Sequence, residues 1–503
     1  MSLPSLSERG IETLPLQEMD PGLRSLWLNF AEMSPIPSSS RQENQMGAYL
    51  ESIAREKNLH MEKDGYGNLL IEIPATEGLE NAPGIVIQAH MDMVCVGKPN
   101  PAVAGVRPYL DESKEWVTAD TTLGADNRIS LAAMKALSGD NTFAHGKYAL
   151  MFTRAEEVGL IGARKMAFSN ELEGYKYLIN ADSEEEGEVT ISSAGAGDSF
   201  INLPVSRQPA GNKKIISISM EGFKGGHSGV VIGKNHLNAG KAMAGLLENL
   251  TTKLEMLNIV SFSSGEKRNS IPLNAQALIA VDEENKEKVL SVISELAENL
   301  PEESRIAEPD LTITAGESDQ QPEEMLTNES TLRLISLLKS LPHGLVKWSE
   351  EVEGLPQTST NLAIVRIKGN KAKIQMMTRS SVTEELEEVR RSIKEISREY
   401  MAFVRQSQAY SGWQPDLENP LLRIIDEEWK KITGESIKTV VTHGGLECGV
   451  IMGKYPHLRA VSIGPTIQKA HEIGERVNIE SVGRFYLLLK NILTAVVSDQ
   501  PQN

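Results

Sequence analysis

The 503-residue chain has only two cysteines, Cys95 and Cys448, and neither belongs to a CxxC pair. A disulfide-stabilised scaffold and a cysteine-based zinc site are therefore excluded, and a reducing cytoplasm is the expected compartment. Positive charge is also scarce, with 51 Lys and Arg residues against 69 Asp and Glu and a net charge of −18. We expect no nucleic-acid partner, because neutralising phosphates requires a basic surface.

Two further absences concern membranes. The first residues, Met1-Ser-Leu-Pro-Ser-Leu-Ser-Glu-Arg, lack a basic stretch followed by an apolar one, so no secretory signal is predicted. No apolar run is long enough to span a bilayer, and no membrane partner is expected. The chain is too long for one core, and its composition of 40% hydrophobic and 24% charged residues is that of a globular protein. The sequence therefore predicts a cytoplasmic protein with two domains.

The chain contains two kinds of secondary-structure pattern. In residues 1–194 and 404–503, short apolar runs such as Tyr148–Thr153 alternate with helical apolar spacing. This alternation predicts an α/β domain whose mixed, mainly parallel sheet has helices on both faces. Residues 195–403 instead combine half-exposed strands with charged amphipathic helices, an α+β pattern. Because candidate ligands occur in both flanking segments, with His471 in the second, we predict that residues 195–403 are inserted into a discontinuous catalytic domain.

Side chains that can bind metal ions follow the apolar runs, where ligands collect beyond the carboxyl ends of parallel strands. Each has a common structural explanation when taken alone: Asp126 can begin a helix, and Glu156-Glu157 can form a solvated turn. Together, two imidazoles and several carboxylates suit a pair of divalent ions, with one carboxylate left as a general base. The set comprises His90, Asp92, Asp126, Glu156, Glu157, Asp182 and His471.

Spacing and chemistry suggest individual roles within this set. Asp92 lies two residues after His90, so the two point to the same side of a strand, and the carboxylate can orient the imidazole. Asp126 has two oxygens with which to bridge two ions. Glu156 and Glu157 are like charges whose proximity favours a cation, so one can bind metal while the other acts as the base. Zinc suits these ligands, and manganese and cobalt are compatible with them.

Ten segments in one order resemble the M20 metallopeptidases, in particular their aminoacyl-histidine (Xaa-His) and cytosol non-specific dipeptidase branch. The resemblance runs over nearly the whole chain, which makes it far more specific than any single motif. The segments are residues 88–94, 121–127, 155–158, 182–188, 225–229, 268–272, 358–361, 379–382, 442–448 and 462–466.

This resemblance implies how the metal ligands are shared. His90 and Asp182 would hold one zinc ion, Glu157 and His471 the other, and Asp126 would bridge the two. It also implies that the inserted domain is a lid and that the chain forms a homodimer.

The resemblance further implies catalytic and substrate-binding residues. Glu156 would be the general base and Asp92 the orienting carboxylate. His227, in a Gly-Gly-His-Ser-Gly motif, would stabilise the oxyanion, which needs a preorganised donor. Arg379 would bind a substrate carboxylate. The remaining substrate-binding candidates are Asn238, His443 and Glu447.

The sequence departs from the relatives at four places, two of which are Ala155, where an Asp usually precedes the glutamate pair, and Glu472-Ile473, where Ser-Pro usually follows the last ligand histidine. Arg128 replaces a Gly that usually follows Asp-Asn, and a bulky cation beside the bridging carboxylate could alter metal affinity. His236-Leu237-Asn238 replaces a usual Arg-Gly-Asn, which affects the role of Asn238. The metal-ligand and base positions are all present, so these changes bear on substrate choice and rate more than on reaction type.

We therefore predict a metal-dependent dipeptidase that acts on small peptides with Xaa-His or broad specificity. A hydroxide held between two zinc ions would attack the peptide carbonyl, with Glu156 moving the proton. Two alternatives stay open. One is an amidase acting on N-acyl or N-carbamoyl amino acids, which needs the same metals. The other is a catalytically silent, ligand-binding relative.

Overall fold

The computed structural model describes residues 10–11, 14–168, 172–254 and 256–498. Residues 1–9 and 499–503 of the predicted catalytic domain lie outside this range. Over the described residues, no helix has both the length and the apolar character needed to cross a membrane. The chain divides into two compact units, the first made of Met1–Ser192, Pro415–Val441 and Leu446–Asn503, and the second of Ser193–Gln414 and Thr442–Gly445.

The elements follow the chain in three stretches. The helices α1 to α5 at the start of the first unit are, in order, Pro21–Met33, Asn44–Lys57, Pro101–Ala104, Ala125–Leu137 and Ile161–Lys165. The strands β1 to β8 of the same stretch are, in order, Met61–Lys63, Leu69–Ile73, Gly84–His90, Tyr109–Leu110, Trp116–Thr118, Tyr148–Thr153, Tyr175–Asn180 and Glu188–Thr190. The helices α6 to α10 of the second unit are, in order, Ala239–Lys253, Lys286–Glu298, Glu302–Ala307, Asn328–Ser340 and Thr383–Glu399. Its strands β9 to β21 are, in order, Gly195–Pro204, Arg207–Pro209, Lys214–Glu221, Gly226–His227, Asn258–Ser264, Ser270–Ile271, Ala275–Val281, Thr312–Glu317, Glu324–Leu326, Gly344–Trp348, Pro356–Lys368, Lys371–Ser380 and Phe403–Gln406. The first unit resumes with the helices α11 to α13, which are Pro420–Thr433, Glu447–Lys454 and Ile479–Ser498. The strands β22 to β25 of this stretch are Lys438–Val440, Arg459–Ser462, Ile467–Gln468 and Arg476–Asn478.

The main sheet of the first unit has the order β1-β2-β6-β3-β7-β23-β8-β22. Its centre, β6-β3-β7-β23, is parallel throughout. Every residue of β3 and β6 is buried, as expected for continuous apolar runs in a sheet covered on both faces. Strand β23 comes from the C-terminal stretch and pairs with β7, so both ends of the chain build one sheet. The predicted α/β class with a mixed, mainly parallel sheet is confirmed.

A smaller sheet of the first unit, β24-β25-β5-β4, contains the hairpin β24–β25. Strand β25 also pairs with β5, with Val477 opposite Val117. Strand β5 leads into the loop before α4. The tip of this hairpin, residues 469–475, is therefore carried by a strand adjacent to that loop.

The second unit has an antiparallel sheet in the order β16-β11-β15-β13-β19-β20-β9-β21, with β18 beside β19. It consists of two βαββαβ motifs with the same strand order. The first motif is β11-α6-β13-β15-α7-β16, and the second is β9-α9-β19-β20-α10-β21. In the chain, the first motif is inserted between β9 and α9 of the second. Their second strands, β13 and β19, join the halves through Ser263–Arg366 and Ser264–Val365. A shared core that includes Ile216, Leu247 and Leu338 lies between sheet and helices. The α+β class expected for the inserted part is confirmed.

Candidate metal centre

Three neighbouring parallel strands of the first unit end at one edge of the sheet and are followed by candidate ligands. His90 is the last residue of β3, Asp182 follows β7 by two residues, and Glu157 follows β6 by four. Asp126 lies at the start of α4 with a non-helical backbone conformation. His471 comes from the tip of the β24–β25 hairpin. Parallel pairing of β6, β3 and β7 is what brings the first three side chains together.

The two oxygens of Asp126 face two different histidines. Oδ1 lies 2.9 Å from Nε2 of His90, and Oδ2 lies 2.9 Å from Nε2 of His471. The same His90 nitrogen is 3.2 Å from Oδ1 of Asp182, and the His471 nitrogen is 2.8 Å from Oε1 of Glu157. The structure thus forms two three-residue groups that share Asp126, each with its ligand atoms within 4.8 Å of one another.

These donors fit divalent metal ions. Ligand atoms about 2.0–2.2 Å from one tetrahedral ion are themselves roughly 3.5 Å apart, close to the separations in each group. Nδ1 of His90 lies 2.9 Å from the carbonyl oxygen of Asp92. Because that oxygen can only accept a hydrogen bond, Nδ1 carries a proton, so in the neutral ring that a metal requires Nε2 would present its lone pair towards Asp126 and Asp182. Nitrogen and oxygen donors of this kind suit zinc and also manganese or cobalt.

The carboxylates of the cluster concentrate negative charge around the two imidazoles, which favours the binding of cations. Burial opposes protonation of His90, but Asp182 and Asp126 outweigh it and raise the pKa of the imidazole well above its ordinary value. Hydrogen bonds to Asp126 and Glu157 raise the pKa of His471 to about 11. Burial, together with the charges of Asp126 and Glu157, raises the pKa of Asp182 to about 6. The carboxylates therefore retain protons on the imidazoles, and metal binding would displace those protons.

Asp92 fixes the backbone of the glutamate pair. Its Oδ1 accepts a hydrogen bond from the backbone N–H of Glu156 (2.9 Å), and its Oδ2 from those of Glu157 (3.2 Å) and the Ser40 hydroxyl (2.7 Å). The carboxylate lies 3.6 Å from Nδ1 of His90, whereas its own carbonyl oxygen is closer. The carbonyl oxygen of Asp92 is thus the nearer partner of the imidazole, and the carboxylate binds backbone N–H groups of the glutamate pair, which spacing did not indicate.

A second buried carboxylate, Glu43, also binds this turn. Its Oε1 accepts the backbone N–H of Ala155 (3.0 Å), and its Oε2 accepts both Nε and Nη2 of Arg154 (2.9 and 2.7 Å). Ala155 has a left-handed backbone with φ of 52°. Glu43 was not singled out from the sequence, since nothing in its surroundings marks a carboxylate that binds a turn more than 100 residues away.

Glu156 lies in this turn. Burial raises the pKa of its carboxyl well above the usual range, with the charges of Asp182 and Glu157 adding to the effect. Its carboxylate also forms a possible ligand group with His90 and Glu157. Glu156 is therefore close enough to the cluster either to exchange protons there or to bind an ion.

Glu447, a predicted substrate-binding residue, is fully buried under the sheet edge. Its Oε2 accepts hydrogen bonds from Nε2 of Gln88 (2.5 Å) and Oγ1 of Thr153 (2.7 Å). Gln88 in turn accepts from Nδ2 of Asn180 at 2.7 Å. Burial raises the pKa of Glu447 to about 8. Gln88 and Asn180 lie two residues before His90 and Asp182, so this network supports the strand ends that carry ligands.

Arg128 donates hydrogen bonds to residues that are not metal-ligand candidates, although it follows Asp126 by two positions. Its guanidinium is fully buried and donates to the carbonyl oxygens of Ser34 (2.9 Å) and Ile36 (2.6 Å) and to Oγ of Ser38 (3.0 Å). Burial lowers its pKa to about 10, which leaves it charged at neutral pH. The residue therefore anchors the loop after α1.

The second unit brings three predicted residues together around Gly229. A methyl group added there would lie 3.0 Å from Cε1 of His227, 3.0 Å from the carbonyl oxygen of His443 and 3.2 Å from Cζ of Arg379. Burial and the charge of Arg379 lower the pKa of His443 to about 3, and Nε2 of His443 lies 2.8 Å from Oγ of Ser359. Partial burial and the same charge lower the pKa of His227. Both rings are neutral at pH 7.

Arg379 itself is a buried cation. Its side chain is 4% exposed, and burial lowers its pKa. Over the described ranges, it forms no ion pair with a carboxylate, and its Nε has no hydrogen-bond partner. A desolvated guanidinium of this kind is suited to receive an anionic group.

Asn238 is used within the fold. It caps the N-terminus of α6, with Oδ1 accepting the backbone N–H of Lys241 at 3.1 Å. Its Nδ2 donates to the carbonyl oxygen of Leu362 at 2.8 Å. Both polar atoms of the amide thus have protein partners, and the side chain is 3% exposed.

A parallel sheet edge at which two imidazoles and two carboxylates surround a shared aspartate is characteristic of metal-dependent hydrolases with two ions. Comparison with known proteins narrows this class. Residues 218–308 match the M20 peptidase dimerisation domain. The cytosol non-specific dipeptidase of Escherichia coli is 35% identical over 489 residues, covering 96% of this chain and 99% of that protein.

Solved structures agree with this result. Aminoacylhistidine dipeptidase from Vibrio alginolyticus superposes with a TM-score of 0.86 at 32% identity, covering 95% of this chain and 98% of that one. An aminopeptidase from Bacillus cereus shares the fold, with a TM-score of 0.55 at 16% identity, 94% of this chain and 98% of that one. The chain belongs to the M20 family of peptidases, in its dipeptidase branch, and the resemblance inferred from the ten segments is confirmed.

Proposed function

We propose that this chain is a cytoplasmic dipeptidase that uses two divalent metal ions, with zinc as the first candidate. Its substrates are dipeptides, with either Xaa-His or broad specificity. The observation that carries the proposal is the arrangement of Asp126, whose two oxygens each face Nε2 of a different histidine. The E. coli relative is a dipeptidase at 35% identity, and this supports a dipeptidase over an N-acyl amidase.

The ligand groups suggest how the ions would be held. His90 and Asp182 would bind one, Glu157 and His471 the other, and Asp126 would join both groups. Bound there, two divalent ions would act as Lewis acids on the scissile carbonyl and make water a stronger nucleophile at neutral pH.

Glu156 is the residue we assign to proton transfer. Its backbone is fixed by Asp92, so the turn holds its carboxylate near the cluster. It would take a proton from the attacking water on a carboxylate oxygen and return it to the leaving amine nitrogen. Burial raises the pKa of this carboxyl above its ordinary value, which makes the carboxylate a stronger proton acceptor.

In the second unit, Arg379 is assigned to the substrate's terminal carboxylate. It is buried and forms no ion pair within the described part of the chain, so a carboxylate would supply the missing partner. The neutral His227 would donate to the oxyanion, and His443 would shape the same pocket through Ser359. The amide of Asn238 and the carboxylate of Glu447 are engaged within the protein, so our proposal gives them supporting roles.

Homodimer formation is part of the proposal, supported by the match to a peptidase dimerisation domain. Within the second unit, strand β13 of the matched segment is already paired with β19 of the same chain. A second copy would therefore have to use another surface than this strand edge.

Substrate length and end groups test the proposal. We expect the zinc-loaded protein to cleave dipeptides faster than tripeptides and far faster than N-acetyl amino acids. Amidating the C-terminal carboxylate should lower kcat/KM by about 10- to 100-fold, because Arg379 then stays buried without an anion. Rates measured across a dipeptide library and these blocked analogues decide the matter. Faster cleavage of N-acyl amino acids would indicate an amidase, and no turnover at all would indicate a silent relative.

A further inference from the structure

Glu475 is a buried carboxylate that the mechanism leaves unused. It is 2% exposed and lies four residues after His471, in the tip of the β24–β25 hairpin. Its Oε2 accepts hydrogen bonds from the backbone N–H groups of Leu123 (2.9 Å) and Gly124 (3.0 Å), and its Oε1 from that of Asp126 (3.3 Å). Both oxygens thus bind the short segment of backbone that carries the bridging aspartate.

The hairpin tip needs such an anchor. Lys469, His471 and Gly474 all have left-handed backbone conformations, with φ of 56°, 66° and 87°. For the two that are not glycine this conformation is unfavourable and must be held by other contacts. The His471 side chain is 46% exposed, so packing does little to fix it.

The contacts of the tip converge on the Asp126 loop. Nε2 of His471 faces the Asp126 carboxylate, while Glu475 binds the Asp126 backbone. The hydroxyl of Thr118, on β5, donates to the carbonyl oxygen of Glu475 at 2.8 Å. Two metal-ligand segments separated by more than 340 residues are therefore joined through one carboxylate.

We propose that Glu475 is a positioning residue that locks the His471 hairpin to the Asp126 loop and so builds the Glu157–His471 half of the metal centre. The proposal rests on the proposed metal centre. When this lock is lost, the His90–Asp182 half still keeps two ligands on strand ends of the main sheet. The other half keeps only Glu157 in a fixed position, so its ion should be lost first.

Glu475→Gln tests this with little change in size. A carboxamide keeps one acceptor but presents an N–H₂ group to backbone N–H donors, which breaks part of the clamp. Metal-free protein would be titrated with Zn²⁺ against a chromogenic chelator. We expect wild type to bind two ions, and Glu475→Gln to bind the weaker one about 10- to 100-fold less tightly, the usual effect of a residue that orients ligands.

Asp64→Asn is the matched control. The Asp64 carboxylate is also buried and accepts the backbone N–H groups of Tyr66 (2.9 Å), Gly67 (2.8 Å) and Asn68 (3.0 Å) in the same unit, but it belongs to none of the ligand groups. We expect it to lower the melting temperature while leaving both Zn²⁺ affinities within about twofold of wild type. Equal loss of Zn²⁺ in both variants would overturn the proposal, because general destabilisation would then explain it.

A milder variant covers the case in which Glu475→Gln does not fold. Thr118→Val removes only the hydroxyl that holds the Glu475 carbonyl, and it should weaken the second ion by a few-fold. If wild type binds two ions and Zn²⁺ binding is unchanged in every folded variant, the proposed role of Glu475 is overturned while the metal centre itself stands. A wild type that binds no Zn²⁺ would instead refute the metal centre itself.

Discussion

Replacing Glu156 with alanine should lower kcat by about 10²- to 10⁴-fold while two metal ions remain bound. Glu156 lies in the turn fixed by Asp92 and Glu43, but neither of these contacts involves its own carboxylate. Removing the side chain therefore takes away the proton acceptor without releasing the turn. The measurement is steady-state dipeptide hydrolysis combined with metal content of the same sample.

The metal content is what separates two roles for Glu156. Because its carboxylate also lies in a possible ligand group with His90 and Glu157, it could bind an ion instead of a proton. Loss of an ion along with activity would assign it to the metal, and unchanged turnover would remove it from the mechanism. Glu185→Ala, an exposed carboxylate in the acidic run after Asp182, is the control and should behave as wild type.

Replacing Asp126 with alanine should reduce turnover to that of chelator-treated protein. Both ligand groups lose a member, and two divalent ions about 3.5–4 Å apart lose the anion between them. Their mutual repulsion is then screened less, so binding of the second ion should fail even where the first persists. Zinc titration and hydrolysis measured on the same variant give both quantities.

Asp120→Ala is the control for this change. Asp120 lies on the same loop, is exposed, and accepts only the Tyr109 hydroxyl at 2.9 Å among the contacts described. It should leave metal binding and turnover unchanged. An Asp126→Ala protein that still binds two ions and cleaves dipeptides would show that this aspartate does not bridge them.

The strand-end ligands could be predicted from sequence because local pattern and topology act together. Continuous apolar runs mark β3, β6 and β7 as buried strands, and parallel pairing places the carboxyl ends of such strands at one edge of the sheet. His90, Glu157 and Asp182 meet there for that reason. The sharing of ligands between two ions did not follow from spacing and came only from the resemblance to a family.

Carboxylates that bind backbone could not be predicted. Glu43, Asp92 and Glu475 accept N–H groups of turns that are distant in the chain. A backbone N–H is present at every residue except proline, so the sequence carries no sign of which ones a carboxylate will meet. Only the assembled fold reveals these contacts.

The position of a residue next to a predicted ligand or motif did not show where its side chain points. Arg128 follows the bridging aspartate by two residues, yet its guanidinium binds the carbonyl oxygens of Ser34 and Ile36. Asn238 stays a predicted substrate-binding residue, and in the structure its amide oxygen caps α6. In both cases the side chain belongs to the first turn or the N-cap of a helix, α4 for Arg128 and α6 for Asn238, and the local backbone conformation determines where it points.

Anomalous diffraction at the zinc edge from zinc-loaded crystals tests the central claim most directly. Two peaks should appear roughly 3.5–4 Å apart. One should lie within about 2.0–2.2 Å of His90 and Asp182, the other within the same distance of Glu157 and His471, with Asp126 reaching both. A single peak, or zinc bound by other side chains, would contradict a two-ion centre built from these five residues.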